Sequence, residues 1–176
     1  MNSRELQLRR RVAWCAGILI AGLVVSGVTA IPLAAELDLL ARLVGVANLS
    51  PDQATSGFVK WILIVREGLH MTYARYPFIA YGTDWLAFGH IVLAIAFLGA
   101  WRHPLRNLWL FRFGMIACGL VVPWALILGE LRGIPVGWRL IDCAFGVVGF
   151  FPCWIAFRSA RELEQRRAAR AAVEPM

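Results

Sequence analysis

Charge is scarce in this sequence. Only 16% of its 176 residues are Asp, Glu, Lys or Arg, and lysine occurs once, at Lys60, against 17 arginines. With 60% apolar residues and a mean hydropathy of +0.65, that scarcity excludes an ordinary water-soluble globular domain. Paired cysteines are missing too. Cys15, Cys118, Cys143 and Cys153 each sit inside an apolar run, and no C-x-x-C occurs. A disulfide framework is therefore not expected, nor is the thiol exchange of quinone-linked disulfide-forming membrane proteins, which needs such a pair; these cysteines read as small packing residues. A basic surface interleaved with aromatics is also absent. The net charge of +7 lies in short arginine blocks beside apolar runs, so membrane lipids are the expected anionic partner and nucleic acid is not.

What is there in quantity is apolar length. A hydrocarbon layer of about 30 Å needs about 20 helical residues at 1.5 Å each. Residues 12–33, 84–101, 105–129 and 138–157 meet that length, each flanked by Trp, Arg or both. The first could be mistaken for a cleavable leader, because Arg9, Arg10 and Arg11 precede it. Its apolar run is longer than a leader's, so a retained anchor is expected. The fold class is thus all-α: a polytopic membrane protein with four transmembrane helices, forming a single membrane domain over residues 1–176. Placing the N-terminal segment, the Arg102–Arg106 turn with Arg112, and the C-terminal tail on one side gathers 12 of the 18 basic residues there. That side should be cytoplasmic, with both termini in it, in a bacterial inner membrane; the preference for arginine over lysine suggests a GC-rich bacterial source.

Between the first two spans, residues 35–46 and 51–76 predict two amphipathic helices lying on the periplasmic interface. Leu37, Leu40, Ala41 and Val44 recur at helical spacing, and S-P-D-Q from Ser50 reads as a capping box with Pro51 at the first helical position. The stripe Phe58, Trp61, Ile62, Val65, Leu69, Thr72 and Tyr76 would face lipid, with Lys60, Arg66, Glu67 and His70 solvated opposite. Residues 158–172, rich in alanine and charge with Glu162 four ahead of Arg166, should prolong the last span as a cytoplasmic helix.

Small residues mark where helices can approach in lipid. Gly17 with Ala21, and Gly22 with Ser26 and Ala30, make such steps on the first span; Ala96 with Ala100 and Gly146 with Gly149 do so on the second and fourth. Pro123 and Pro152 should bend the helices that hold them.

With this topology Asp84, Glu130, Arg132, Arg139 and Asp142 gather at the periplasmic helix ends, and His90 lies about 9 Å deeper than Asp84. They form a candidate polar pocket, with Trp85, Trp124 and Trp138 as an aromatic wall, suited to a lipid-like, quinone-like or prenyl ligand. Plainer roles exist for each: Asp84 as a helix-end acceptor, Arg139 with Asp142 as a neutralising pair, Glu130 and Arg132 exposed in a turn, and His90 bonded to a carbonyl. Glu67-x-x-His70 has the spacing of di-iron bundles, but those use two such motifs, so no metal is expected. A haem between His70 and His90 has no support in spacing, and His103 belongs to a solvated turn. No cofactor is expected.

The stretch from Tyr81 to Phe157, with Y-G-T-D-W-L-A-F-G-H, R-G-I-P and W-R-L-I-D-C-A-F-G, resembles a group of uncharacterised small bacterial four-helix integral membrane proteins. The resemblance implies a fold and a membrane, and brings no activity. Function is expected to be that of an accessory or lipid-like-ligand-binding bundle, alone, as a homo-oligomer or within a larger membrane complex. The alternative is a small membrane-embedded enzyme using His90 with Asp84 or Asp142 for proton transfer to an amphiphile. A transporter ranks third, since no inverted repeat is visible.

Overall fold

The computed structural model describes residues 3–172. Six α-helices account for most of them: α1 (Ser3–Ala30), α2 (Leu33–Leu43), α3 (Gly57–Arg75), α4 (Tyr81–Arg102), α5 (Leu108–Leu131) and α6 (Val136–Ala171). Single 3-10 turns occupy Pro51–Gln53 and Pro77–Ala80, and no strand occurs among the described residues. Helices α1, α4, α5 and α6 are each long and apolar enough to cross a membrane. Only 17–22% of their most apolar windows is buried within the chain. Side chains such as Trp124, Phe145 and Val148 are 70% exposed or more, a surface suited to lipid tails and not to water.

Helix ends follow local chemistry, with some departures from the periodicity. The first span begins at Ser3 and stops at Ala30, because Pro32 cannot donate within the helix it would interrupt. The capping box at Ser50 forms, with Gln53 Oε1 accepting from the Ser50 N–H at 2.9 Å, but it closes only one 3-10 turn. The longer helix starts afresh at Gly57, where the Ser56 hydroxyl accepts from the Val59 N–H at 3.2 Å. Gly45 and Gly133 take positive φ just past α2 and α5. In each case paired backbone bonds close the helix end, Val46 N–H to Ala41 O and Ile134 N–H to Gly129 O among them, in a conformation that favours glycine. The last helix runs unbroken for 36 residues, about 54 Å, so the alanine-rich tail does prolong the fourth span.

Contacts divide the chain into two compact units. The first comprises the described residues up to Leu23 together with those from Leu93 onward. Its core holds Val12, Cys15 and Ala16 of α1, Phe97 and Ala100 of α4, Leu110 and Phe111 of α5, and Cys153, Ala156 and Ala160 of α6. Gly114 makes room in it: a Cβ there would stand 2.6 Å from Cys153 Sγ and 3.1 Å from Phe97 Cζ. Along the α5–α6 seam a Cβ on Gly146 would meet Cys118 O at 2.5 Å, and one on Gly149 would meet Cys118 Sγ at 2.9 Å. The expected notch on the fourth span is therefore real, as is the step at Ala100, which is fully buried. All four cysteines are free and lie buried or half-buried.

The steps expected on the first span are not the ones used. Gly17 and Gly22 have nothing within 4 Å of a modest Cβ, and Ala21 and Ser26 are exposed. Close approach in the first unit falls instead on Ala16, with no exposed surface. In the second unit, Val24–Val92, it falls on Gly27, where a Cβ would lie 3.0 Å from Ala87 O and 3.1 Å from His90 Cβ of α4. Small residues lined up at four-residue spacing on two faces of α1; which face met a neighbour depended on the neighbour.

Candidate functional site

Within the second unit, α2 and α3 are joined by a polar clamp. Leu37 and Ala41 of α2 and Ile62 and Leu63 of α3 are buried. Beside them Asp38 Oδ1 accepts from Arg66 Nε at 2.6 Å and contacts His70 Nε2 at 3.0 Å. Arg66 reaches further, donating from Nη1 to the Ala47 carbonyl at 2.9 Å, and so ties the loop after α2 to α3. Arg66 and His70 are four apart and share one helix face. Of the stripe expected to be solvated, Lys60, Glu67 and His70 are exposed, whereas Arg66 turns toward α2 and is only 27% exposed at its side chain. The sequence spacing could not supply this, because Asp38 lies 28 residues away on another helix.

The electrostatics are one-sided. The Arg66 guanidinium, and after it the His70 ring, hold the Asp38 carboxyl below the usual carboxylate range. An ionised carboxylate only accepts, so the Asp38-facing Nε2 of His70 carries a proton, and Nδ1 of the neutral ring is left as an acceptor. Next to the clamp is a cleft of about 620 Å3. Lys60, Arg66, Asp52 and Glu67 give it charges of both signs, His70 adds a ring nitrogen, and Leu63 with its neighbours gives it an apolar wall. Such a cleft can hold a polar head that carries both donors and acceptors while an apolar part lies against leucine and isoleucine.

The residues singled out from the sequence are distributed over both units. Asp84 and His90 belong to the second. Asp84 lies in the first turn of α4 and is exposed; the helix begins at Tyr81, so Asp84 does not cap it. His90 is half-buried and donates from Nδ1 to the Leu86 carbonyl of its own helix at 2.8 Å, which leaves Nε2 as its lone-pair nitrogen when neutral. Trp85 is 55% exposed and stands edge-on to Tyr81 and Phe88, at 5.9 and 5.4 Å between ring centres.

Glu130, Arg132, Arg139 and Asp142 belong to the first unit. Arg139 does not pair with Asp142 three residues on. It crosses from α6 to Glu130 at the end of α5, with Nη1 to Oε2 at 2.5 Å. Gly129 lets it pass: a Cβ there would stand 2.5 Å from Arg139 Cδ. The Arg139 side chain is 12% exposed, and its buried Nε has no hydrogen-bond partner. Asp142 is half-buried, Arg132 is exposed just past α5, Trp124 is 70% exposed and Trp138 is half-buried. Among the described residues no three of His, Cys, Asp or Glu converge as a metal-ligand set. The chain matches no known family model, no curated protein and no solved structure.

Proposed function

We propose that this chain is a multi-pass protein of a bacterial inner membrane, with both termini cytoplasmic, that binds a lipid-like amphiphile at the periplasmic face. It would act as an accessory subunit, alone or within a larger membrane assembly. Twelve basic residues on the side of the termini, against six basic and seven acidic residues on the other, support the orientation. Arginine usage and the resemblance of the Tyr81–Phe157 stretch support a bacterial source. In that orientation α2 and α3 lie on the periplasmic interface.

The observation that carries the binding role is the Asp38–Arg66–His70 clamp beside a cleft with charged and apolar walls. Full-length protein purified in mild detergent and examined by native mass spectrometry should retain an amphiphile, and Arg66→Gln with Lys60→Gln should release it. A wild-type chain free of any bound amphiphile would contradict the reading. For the orientation, a cysteine introduced into the Arg102–Arg106 turn should resist impermeant thiol reagents from outside intact cells, and one beside Glu130 should react.

A second reading, an enzyme that uses His90 with Asp84 of the same unit, is favoured by one feature. His90 commits Nδ1 to Leu86 and leaves Nε2 for proton transfer. His90→Asn should then abolish turnover of an amphiphilic substrate with thermal stability unchanged; a loss of stability instead would mark a structural histidine.

A further inference from the structure

Arginines at the start of α1, around the α4–α5 turn and near the end of α6 differ in what they meet. Arg4, Arg166 and Arg170 are taken by carboxylates: Arg4 and Arg166 by Glu162, Arg170 by Glu5. Arg9, Arg102, Arg106 and Arg167 have no carboxylate partner among the described residues, and with His103 they line one cavity of about 180 Å3 over the buried Leu163. No acidic residue lines it.

These four guanidinium groups come from α1, the end of α4, the turn before α5, and α6. Bringing like charges to one place is unfavourable, and a topology signal needs only their number on one side, not their convergence. The turn is also held in shape. Asn107 donates from Nδ2 to both the Gly99 and His103 carbonyls at 3.0 Å, closing the end of α4 and fixing where Arg102 and Arg106 start.

We infer that this cavity is a site for the phosphodiester of an anionic phospholipid headgroup. Guanidinium groups match phosphate oxygens in pairs, and the cavity holds about six waters' share of volume, room for a phosphoryl group. The turn joins two helices long enough to cross a membrane with only five residues between them, so it must lie at headgroup depth, where the commonest phosphate belongs to lipid. This inference rests on the membrane reading and not on the amphiphile cleft.

The test uses the full chain in mild detergent, titrated with phosphatidylglycerol or with phosphatidylcholine of the same acyl chains, and read by native mass spectrometry. Wild type should retain phosphatidylglycerol in preference to phosphatidylcholine. Arg102→Gln with Arg106→Gln should weaken retention about thirtyfold, at about fivefold for each arginine near an anionic group. Arg102→Lys with Arg106→Lys should recover part of it. Arg42→Gln with Arg75→Gln, an equal loss of charge in the other unit, should leave it unchanged. Equal uptake of both lipids, no loss in the Arg102/Arg106 variant, or an equal loss in the Arg42/Arg75 variant would overturn the site. Arginine-dependent binding of inorganic phosphate without phosphatidylglycerol would assign it to a soluble phosphate ester and overturn the lipid. Detergent-solubilised protein has no sides, so this result is independent of the labelling that tests orientation and of ligand loss at the Lys60–Arg66 cleft.

Discussion

Arg4 and Glu162 meet through two parallel contacts of 3.2 Å, although 158 residues separate them. Glu162 also accepts from Arg166 one turn along its own helix at 3.0 Å, and Glu5, 8% exposed, takes Arg170 at 2.9 Å. The extension of α6 beyond the fourth span is therefore fastened to the first turns of α1, with Leu8 and Leu163 each 1% exposed beneath the ion pairs. Leu163→Ala should destabilise this unit by about 2–5 kcal/mol, the range for deleting a buried leucine side chain. Arg170→Gln, which strands the Glu5 carboxylate, should destabilise more than Arg166→Gln, whose partner keeps Arg4. Thermal unfolding in detergent would order the three; equal effects of the two arginine changes would show that Glu5 is not held by Arg170.

Helix approach offers a sharper comparison. Gly27→Leu and Gly146→Leu should each destabilise by about 1–3 kcal/mol or more, because a side chain would press on Ala87 O and His90 in the first case and on Cys118 O and Val121 in the second. Gly22→Leu meets nothing and should stay within about 0.5 kcal/mol of wild type. An unfolding series in mixed micelles measures all three, and a Gly22→Leu protein as damaged as Gly27→Leu would mean that α1 packs on another face.

The Arg139 stem and Gly129 should behave as one unit. Gly129→Ala places a methyl where Arg139 Cδ and Cγ now pass, and should destabilise by about 1–3 kcal/mol. In an Arg139→Ala background the same methyl has nothing to displace, so its effect should largely vanish. Additive losses in that double-mutant cycle would refute the packing described.

Asp38 sets a pH dependence. Its folded pKa lies below its ordinary value, so its ionised form favours the folded unit at all pH values above about 4. That contribution falls away as pH drops through the ordinary value toward the depressed one. Amide exchange in α2 and α3, followed from pH 6 down to pH 3, should show protection lost over the lower part of that range. Asp38→Asn should remove the acid-dependent step and lower protection at pH 6. A step that persists in Asp38→Asn would belong to another carboxylate.

Four helices able to cross a membrane, the start at Ser56, and the ends at Gly45 and Gly133 were all decided by the amino-acid sequence close by. Each depends on apolar length, a capping hydroxyl or a positive φ within a few residues of itself. Tertiary structure alone decided which partner each polar side chain took: Arg66 and His70 turn to Asp38, Arg139 passes Asp142 for Glu130, and Glu162 adds Arg4 to the expected Arg166. It also chose Gly27 over Gly22 for close approach. The reason is physical: helix formation and membrane insertion are satisfied by near neighbours along the chain, whereas an ion pair or a small-residue contact needs a second helix brought to it, and that depends on packing.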